Sequence, residues 1–238
     1  MPKPILIIKT GSTLPGLSAR KGDFEDWIST RMGKQYTFQV IDVTTGTSLP
    51  ESEIFAGTVI TGSPCMVTAH LPWSEMTARW LAKAVDAGLP VLGICYGHQL
   101  LAYALGGEVG DNPRGSEYGT TTITPLGSAF DDTLFKPMSS DFLAQVCHKQ
   151  TVLILPPGAK LLALSSKDSC QAFVYKNAWG VQFHPEFDAE VMHYYISHFR
   201  QVLIDEGQDA DELSAQVCET PVSAALLQNF ASICSAYR

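Results

Sequence analysis

The sequence predicts an α/β fold: an open, mostly parallel sheet with helices on both faces and a helical extension at its C-terminal end. Over residues 5–107, short apolar segments typical of strands alternate with longer amphipathic segments typical of helices. Because parallel neighbours need helical crossovers, this order predicts parallel pairing. Between residues 118 and 183, strand-like segments follow one another too closely for helices, which predicts some antiparallel strands.

The strands predicted in the first part are short and rich in β-branched or apolar residues, and they cover residues 5–9, 36–43, 58–61 and 89–94. The helices between them have apolar residues at helical spacing and cover residues 23–32, 73–87 and 97–105. Gly88 and Pro90 end the second of these helices. The later strands are predicted at residues 118–124, 142–147, 161–165, 172–176 and 180–183.

The last part of the chain is predicted to be helical. One helix is expected over residues 188–205, with Asp188 as its N-cap. Another begins at Thr220 and Pro221, since Thr at N-cap followed by Pro at N1 is a typical helix start. Residues 207–211 are interpreted as a linker. We therefore expect one domain over residues 1–206 and a C-terminal extension over residues 207–238, which packs on that domain or on a second copy of the chain.

Composition excludes several classes of protein. Hydrophobic residues make up 45% and charged residues 17% of the 238 residues, which predicts a folded chain. The net charge of −8 argues against a nucleic-acid partner. Apolar runs are too short for a signal sequence or a membrane span. The six cysteines form no CxxC pair, so we expect reduced thiols, a cytoplasmic protein and no metal site.

The segment 93–99, which reads Gly-Ile-Cys-Tyr-Gly-His-Gln, joins a predicted strand directly to a predicted helix. A glycine two residues on each side of Cys95 permits the tight, strained turn of a nucleophile elbow. The thiol would then lie at a helix N-terminus, which favours the thiolate. The backbone N–H of Tyr96 would point towards a developing oxyanion. The alternative is a buried structural cysteine at a strand end.

A thiol nucleophile needs a base, and the segment 179–186 offers one. It reads Trp-Gly-Val-Gln-Phe-His-Pro-Glu, so an apolar strand ends at His184 and Pro185 stops it from continuing. Cys95 and His184 would therefore lie at the same carboxyl edge of the sheet. Glu186 follows closely enough to orient the imidazole. Taken by itself, His184 is better interpreted as a surface histidine at a strand end, because most histidines are not catalytic.

Together these two segments resemble those of the class I (triad-type) glutamine amidotransferases, and especially the stand-alone relatives of the glutaminase domain of GMP synthetase. The resemblance covers about residues 5–199. It implies a flavodoxin-like α/β fold. It also implies a catalytic triad, with Cys95 as the nucleophile, His184 as the general acid and base, and Glu186 orienting the imidazole.

The resemblance extends to the segment Thr61 to Pro64, which is similar to the family's glycine-rich oxyanion strand. It implies that Gly62 borders the substrate and that the backbone N–H of Ser63, with that of Tyr96, stabilises the oxyanion. Ser63 stands where the family usually has a second glycine. The alternative is an ordinary turn after a strand.

Four further positions are implied to bind substrate. Gln99 matches a side chain that contacts glutamine, the alternative being a helix-surface amide, and Tyr118 lines the pocket or packs at a strand start. His148 is expected to be structural or pocket-lining, because no acidic residue is near it in the sequence. Lys149 replaces the glycine of a segment that usually reads Ser-His-Gly-Asp, and it would narrow the pocket or meet the α-carboxylate of a substrate.

The resemblance implies hydrolysis of the glutamine side-chain amide through a cysteinyl γ-glutamyl thioester, with no metal or organic cofactor. The sequence contains no phosphate-binding loop, so a separate synthetase partner would accept the ammonia. The alternative is a γ-glutamyl peptidase or hydrolase with the same triad, since such stand-alone enzymes show departures like Ser63 and Lys149. The third hypothesis, a non-enzymatic binding protein on this fold, is disfavoured by the intact triad.

Overall fold

The computed structural model describes residues 3–138 and 140–237. Its strands are Ile5–Lys9 (β1), Phe38–Asp42 (β2), Gly57–Ile60 (β3), Val91–Ile94 (β4), Glu108–Asp111 (β5), Glu117–Pro125 (β6), Phe142–His148 (β7), Gln150–Ile154 (β8), Lys160–Leu164 (β9), Ala172–Tyr175 (β10) and Ala178–Val181 (β11). Its α-helices are Pro15–Lys21 (α1), Phe24–Met32 (α2), Pro72–Asp86 (α3), Tyr96–Ala104 (α4), Ala189–His198 (α5), Arg200–Asp205 (α6), Ala210–Ala215 (α7) and Pro221–Ala236 (α8).

Nine strands form one sheet in the order β2-β1-β3-β4-β11-β10-β9-β6-β7. The pairs from β2 to β11 are parallel, and those from β11 to β7 are antiparallel. Strands β5 and β8 form a separate antiparallel pair. The predicted α/β class with mixed strand pairing is therefore confirmed.

Apolar residues cover both faces of the sheet, as expected when parallel strands are buried on both sides. Ile5 and Ile7 of β1 pack on one face with residues of α2 and α8. Leu6 and Ile8 pack on the other face with residues of α3 and α4. This period of two along β1 places helices on both faces. No helix within residues 3–138 and 140–237 is long and apolar enough to cross a membrane.

The helix predicted over residues 188–205 is wrong as a single element, because α5 ends at Phe199 and α6 begins after it. Phe199 has φ −92° and ψ 12°, and its ring packs against Tyr118 and Tyr195, which turns the chain. The linker prediction is also wrong in part, since Asp209 caps α7 by accepting hydrogen bonds from two backbone N–H groups. Helix α1 and strands β5 and β8 have no counterpart in the predicted elements.

Helix α8 packs on the rest of the molecule. Leu226, Leu227 and Phe230 are completely buried in the same core cluster as Ile5 and Ile7 of β1. The apolar stripe of the C-terminal extension is thus buried within the chain. The domain boundary after residue 206 stays a prediction.

Candidate active site

Cys95 lies in a strained turn between β4 and α4. Its backbone has φ 50° and ψ −100°, a conformation that non-glycine residues rarely adopt. The turn is possible because the flanking positions are glycines. A Cβ atom on Gly93 would lie 2.3 Å from the Gly97 carbonyl oxygen, and one on Gly97 would lie 2.5 Å from the Ile60 carbonyl oxygen. The turn therefore requires both glycines and presents the thiol at the sheet edge.

His184 follows β11, the parallel neighbour of β4, and this pairing brings it to Cys95. Val181 is paired with Ile94, and the Cys95 N–H donates to the Val181 carbonyl oxygen at 2.9 Å. The His184 N–H donates to the Gln145 carbonyl oxygen at 2.8 Å, which fixes the chain beyond the strand. Two segments far apart in sequence are thereby joined at one edge.

The imidazole of His184 is held between a carboxylate and a thiol. Its Nδ1 lies 2.7 Å from Oε1 of Glu186, and both side chains are buried. The ring of Phe187 stacks on it with centroids 4.1 Å apart. Burial lowers the pKa of His184, but the charges of Glu186 and Cys95 raise it by a larger amount, so that the pKa is about 10. The imidazole of His184 is therefore protonated at neutral pH.

A cavity of about 270 Å³ opens in front of Cys95, whose side chain remains 7% exposed. Eight of the ten predicted site residues line it: Ser63, Cys95, Tyr96, Gln99, Tyr118, His148, Lys149 and His184. Gly62 borders the imidazole, because a Cβ there would lie 3.1 Å from Cε1 of His184. Glu186 lies behind the ring. The structure therefore brings the predicted residues together at one site.

The two residues predicted to bind an oxyanion are fixed by their side chains. The Ser63 hydroxyl donates to the Thr10 carbonyl oxygen at 2.6 Å and accepts from the Cys65 N–H at 3.1 Å. The Tyr96 hydroxyl is hydrogen-bonded to the Ser74 hydroxyl at 2.6 Å, and burial raises its pKa to about 12. The Tyr96 side chain thus packs in the core, and its backbone is the part of the residue that is expected to face the cavity.

Gln99 is buried, so its interpretation as a helix-surface amide is wrong. Its Nε2 donates to the Gln150 carbonyl oxygen at 2.7 Å and to Oε1 of Gln182 at 2.9 Å. The first bond ties α4 to the segment 147–150, which also lines the cavity. Tyr118 is half-buried, and burial raises its pKa. Lys149 is exposed and lies between this cavity and a neighbouring polar cavity of about 370 Å³.

The expectation that His148 has no acidic neighbour is wrong. Its Nε2 lies 3.0 Å from Oε2 of Glu117, and its Nδ1 lies 3.0 Å from the Gln150 carbonyl oxygen and 3.8 Å from Oδ2 of Asp168. All three side chains are buried. Both ring nitrogens thus face hydrogen-bond acceptors in the protein interior. His148 is therefore a structural residue and not a rival base to His184.

Glu117, His148 and Asp168 are also close enough together to be considered as metal ligands. Both ring nitrogens of His148 and both carboxylate oxygens of Glu117 are already used in hydrogen bonds, however, whereas Oδ2 of Asp168 has no hydrogen-bond partner among the described residues. Glu117 accepts from the Ser165 hydroxyl at 2.8 Å and from Nε2 of Gln171 at 2.7 Å, in addition to His148. The arrangement fits a buried cluster of hydrogen-bonded side chains better than a metal centre.

Several cavity residues were not found from the sequence. Cys147 contributes the carbonyl oxygen that lies 3.7 Å from Sγ of Cys95. Phe24 and Tyr195 line the cavity from helices α2 and α5, and the Tyr195 hydroxyl is hydrogen-bonded to that of Thr13 at 2.8 Å. Cys147 directly precedes His148, so the segment that contains His148 offers a sequence signal for it. The helix residues reach the site only through the tertiary fold.

A family model described as glutamine amidotransferase class-I matches residues 23–201 of the chain. The GMP synthase (glutamine-hydrolyzing) of Clostridium botulinum is 32% identical over 170 residues, which cover 70% of this chain and 32% of that protein. The corresponding enzyme of Aeropyrum pernix is 38% identical over 142 residues, which cover 59% of this chain and 25% of that protein. The chain spans about a third or less of these relatives.

Two solved structures share the whole architecture. A glutamine amidotransferase from Thermotoga maritima superposes with a TM-score of 0.78 at 23% identity, covering 99% of each chain. A glutamine amido transferase from Methylobacillus flagellatus superposes with a TM-score of 0.73 at 27% identity, covering 100% of this chain and 94% of that one. The first likeness, at this low identity, bears on the fold alone.

Proposed function

Because the chain belongs to the class-I glutamine amidotransferase family, we propose that it hydrolyses the side-chain amide of glutamine and releases ammonia and glutamate. One observation carries the proposal. A cysteine in a strained turn contacts an imidazole that is hydrogen-bonded to a buried carboxylate, and this group faces a cavity of about 270 Å³. A nucleophile, its base and an orienting acid in this order support acyl transfer.

In the first step the thiolate of Cys95 attacks the side-chain amide carbon of glutamine. The negative charge that develops on the amide oxygen is stabilised by the backbone N–H groups of Ser63 and Tyr96. One such donor typically contributes about 10²–10³ in rate. His184 then gives its proton to the amide nitrogen, the carbon–nitrogen bond breaks, and ammonia leaves a γ-glutamyl thioester on Cys95.

In the second step the neutral imidazole of His184 takes a proton from water, and the resulting hydroxide attacks the thioester carbonyl. The carbon–sulfur bond breaks, glutamate leaves, and the thiolate–imidazolium pair is restored. Glu186 keeps Nδ1 protonated, so that Nε2 exchanges the proton in both steps. This half-reaction requires no metal or organic cofactor.

We propose that the segment 147–150 and the cavity residues around it bind the amino-acid end of the substrate. Lys149 offers a cation that suits an α-carboxylate at the mouth of the cavity. Gln99 and His148 hold the segment 147–150 in place through their hydrogen bonds. Gly62 leaves room beside the imidazole, and Tyr118 forms part of the apolar wall.

The ammonia acceptor is proposed to be a separate synthetase, by analogy with the GMP synthases that the chain resembles over a third of their length. A γ-glutamyl peptidase is the second candidate. It is favoured by Lys149 and by Ser63, whose hydroxyl anchors the turn at Thr10. Both reactions use the same thioester and differ in the leaving group.

Product analysis separates these candidates. Ammonia release from glutamine is compared with amine release from a panel of γ-glutamyl dipeptides, for the wild type and for Cys95→Ala. The exposed thiol of Cys218 supplies the matched control, Cys218→Ser. A higher kcat/KM for glutamine supports the amidotransferase, and a higher value for a dipeptide supports the peptidase. If no γ-glutamyl compound is turned over and a glutamine-like diazoketone fails to label Cys95, neither enzymatic function holds.

A further inference from the structure

Three thiols line the cavity, those of Cys65, Cys95 and Cys147. Sγ of Cys95 lies 3.7 Å from the carbonyl oxygen of Cys147, so these two residues are in contact. We propose that Cys95 and Cys147 form a reversible disulfide after a peroxide oxidises Cys95, which makes the cavity a site of oxidative modification. The reactivity of Cys95 in this inference rests on the proposed function, in which it is a thiolate.

Covalent geometry limits how far apart the two residues are. A carbonyl oxygen lies at most about 2.8 Å from the Cα of its own residue. The Cα of Cys147 is therefore within roughly 6.5 Å of Sγ of Cys95, given the 3.7 Å contact. Since Sγ lies about 3 Å from the Cα of its own residue, the two Cα atoms are within roughly 9.5 Å of each other. Disulfides join residues whose Cα atoms are about 4.4–6.8 Å apart, a range inside this bound. Bond formation then requires rotation of the Cys95 side chain and a shift at the end of β7, next to exposed Lys149.

The two thiols differ in reactivity, which sets the order of events. Burial raises the pKa of the Cys147 thiol well above its ordinary value, and the charge of Cys95 raises it further. A hydrogen bond from the Tyr118 hydroxyl acts in the opposite direction. Cys147 is thus protonated, whereas Cys95 is the attacking thiolate of the proposed function, so a peroxide reacts first at Cys95, because the thiolate is the nucleophile.

Oxidation of Cys95 then prepares Cys147 to react. The Cys95 thiolate attacks a peroxide oxygen, the O–O bond breaks, and sulfur gives two electrons to form a sulfenic acid. The leaving alkoxide or hydroxide takes a proton from His184 and departs as an alcohol or water. The sulfenic acid is neutral, so the repulsion that disfavours the Cys147 thiolate disappears. The Cys147 sulfur attacks that of Cys95, the S–S bond forms, the S–O bond breaks, and the leaving hydroxide takes the Cys147 proton as water. A dithiol reverses the bond by exchange.

Cys147 would thereby protect Cys95 from irreversible oxidation. A sulfenic acid without a neighbouring thiol proceeds to sulfinic and sulfonic acids, which a dithiol does not reduce. Cys65 lines the same cavity, but its backbone N–H is anchored to the Ser63 hydroxyl, and no hydrogen-bond contact of Cys65 with Cys95 is found among the described residues. It serves as a matched control for a cavity thiol that does not resolve the sulfenic acid.

The test treats the wild type, Cys147→Ser and Cys65→Ser with hydrogen peroxide and digests each without reduction. Mass spectrometry of the wild type and of Cys65→Ser should show the peptides of Cys95 and Cys147 linked with the loss of two hydrogen atoms. Dithiothreitol should restore most of the initial activity of both. Cys147→Ser should give no link, should carry sulfinic acid at Cys95, and should recover about tenfold less of its own starting activity.

Two results overturn the proposal: a treated wild type in which Cys95 is sulfinic acid or linked to Cys65, and equal recovery of the wild type and Cys147→Ser. Circular dichroism of Cys147→Ser before treatment verifies its fold, and a variant that is misfolded is replaced by Cys147→Ala. The linked peptide is detected without turnover. Failure of the proposed function appears instead as untreated, reduced wild type that releases no ammonia from glutamine.

Discussion

Replacing Glu186 by glutamine removes the carboxylate that lies 2.7 Å from Nδ1 of His184 and keeps the shape of the side chain. Burial lowers the pKa of His184, and the charges of Glu186 and Cys95 together raise it to about 10. Unit charges about 4 Å apart interact by about 4 kcal/mol at an effective dielectric constant near 20, which corresponds to about 3 pKa units. Glu186→Gln should therefore return the pKa of His184 to about neutral or below.

The measurement is the pH dependence of ammonia release at saturating glutamine. Because the folded-state pKa of His184 is raised, its proton is present at neutral pH and is lost only as the pH passes about 10. The alkaline limb of kcat should lie near that pH in the wild type and should move towards neutral in Glu186→Gln. At about pH 8 the variant should lose about 10- to 100-fold in rate, less than the 10²–10⁴-fold expected for His184→Ala.

The matched control is Glu190→Gln, which removes the same charge from an exposed position on α5. It should leave the pH profile unchanged. An alkaline limb that stays in place in Glu186→Gln would refute the assignment of Glu186 as the group that raises the pKa of His184. Equal losses in Glu186→Gln and His184→Ala would refute the division between orienting and transferring the proton.

Three further substitutions test other parts of the site. Cys95→Ala should reduce ammonia release by about 10⁴-fold or more while circular dichroism shows a native fold, and residual turnover of glutamine near the wild-type rate would exclude the thioester. Gly97→Ala should lower the free energy of unfolding in urea by about 1–3 kcal/mol, because its Cβ would meet the Ile60 carbonyl oxygen at 2.5 Å; an unchanged midpoint would contradict the required close approach. Glu117→Gln should cost about 1–3 kcal/mol in the same measurement, since a single amide oxygen does not accept from all of His148, Ser165 and Gln171, whereas exposed Glu108→Gln should cost little. Similar losses in the last two variants would argue against a buried hydrogen-bonded cluster around Glu117.

The two halves of the site are predictable from sequence because each rests on a local backbone requirement. Gly93 and Gly97 flank a turn at positions where a Cβ atom would not fit. The strand β4, which leads into this turn, is apolar. Pro185 predicts that the strand before it ends by His184, although β11 already ends at Val181 and His184 lies three residues beyond it. Since carboxyl ends of parallel strands share an edge, the approach of Cys95 to His184 follows from the fold class.

The surroundings of His148 are not predictable in the same way. Its partner Glu117 comes from β6, and Asp168 from the turn before β10, so neither is a sequence neighbour. Their meeting depends on antiparallel register, which pairs Glu117 directly with His148 across β6 and β7. Register of this kind is set by long-range packing and not by local propensity.

The helix break at Phe199 escaped prediction for a related reason. The segment 188–205 has helical spacing throughout and contains neither Gly nor Pro, so nothing local marks an end. The aromatic contacts of Phe199 with Tyr118 and Tyr195 determine where the chain turns. The short pair β5–β8 is also hard to predict. Leu153 and Ile154 of β8 are about half exposed, so their apolar side chains do not mark a buried strand.

The position of β11 between β4 and β10 governs when the site can come into being. As the polypeptide emerges from the ribosome, Cys95 appears long before His184, when β4 can pair only with β3 and is an edge strand. Until β11 pairs with β4, the imidazole of His184 is not beside the sulfur of Cys95. The Cys95 N–H also lacks the Val181 carbonyl oxygen to which it donates in the folded protein. A chain that lacks β11 therefore has Cys95 without His184 beside it, and the proposed hydrolysis requires the completed sheet.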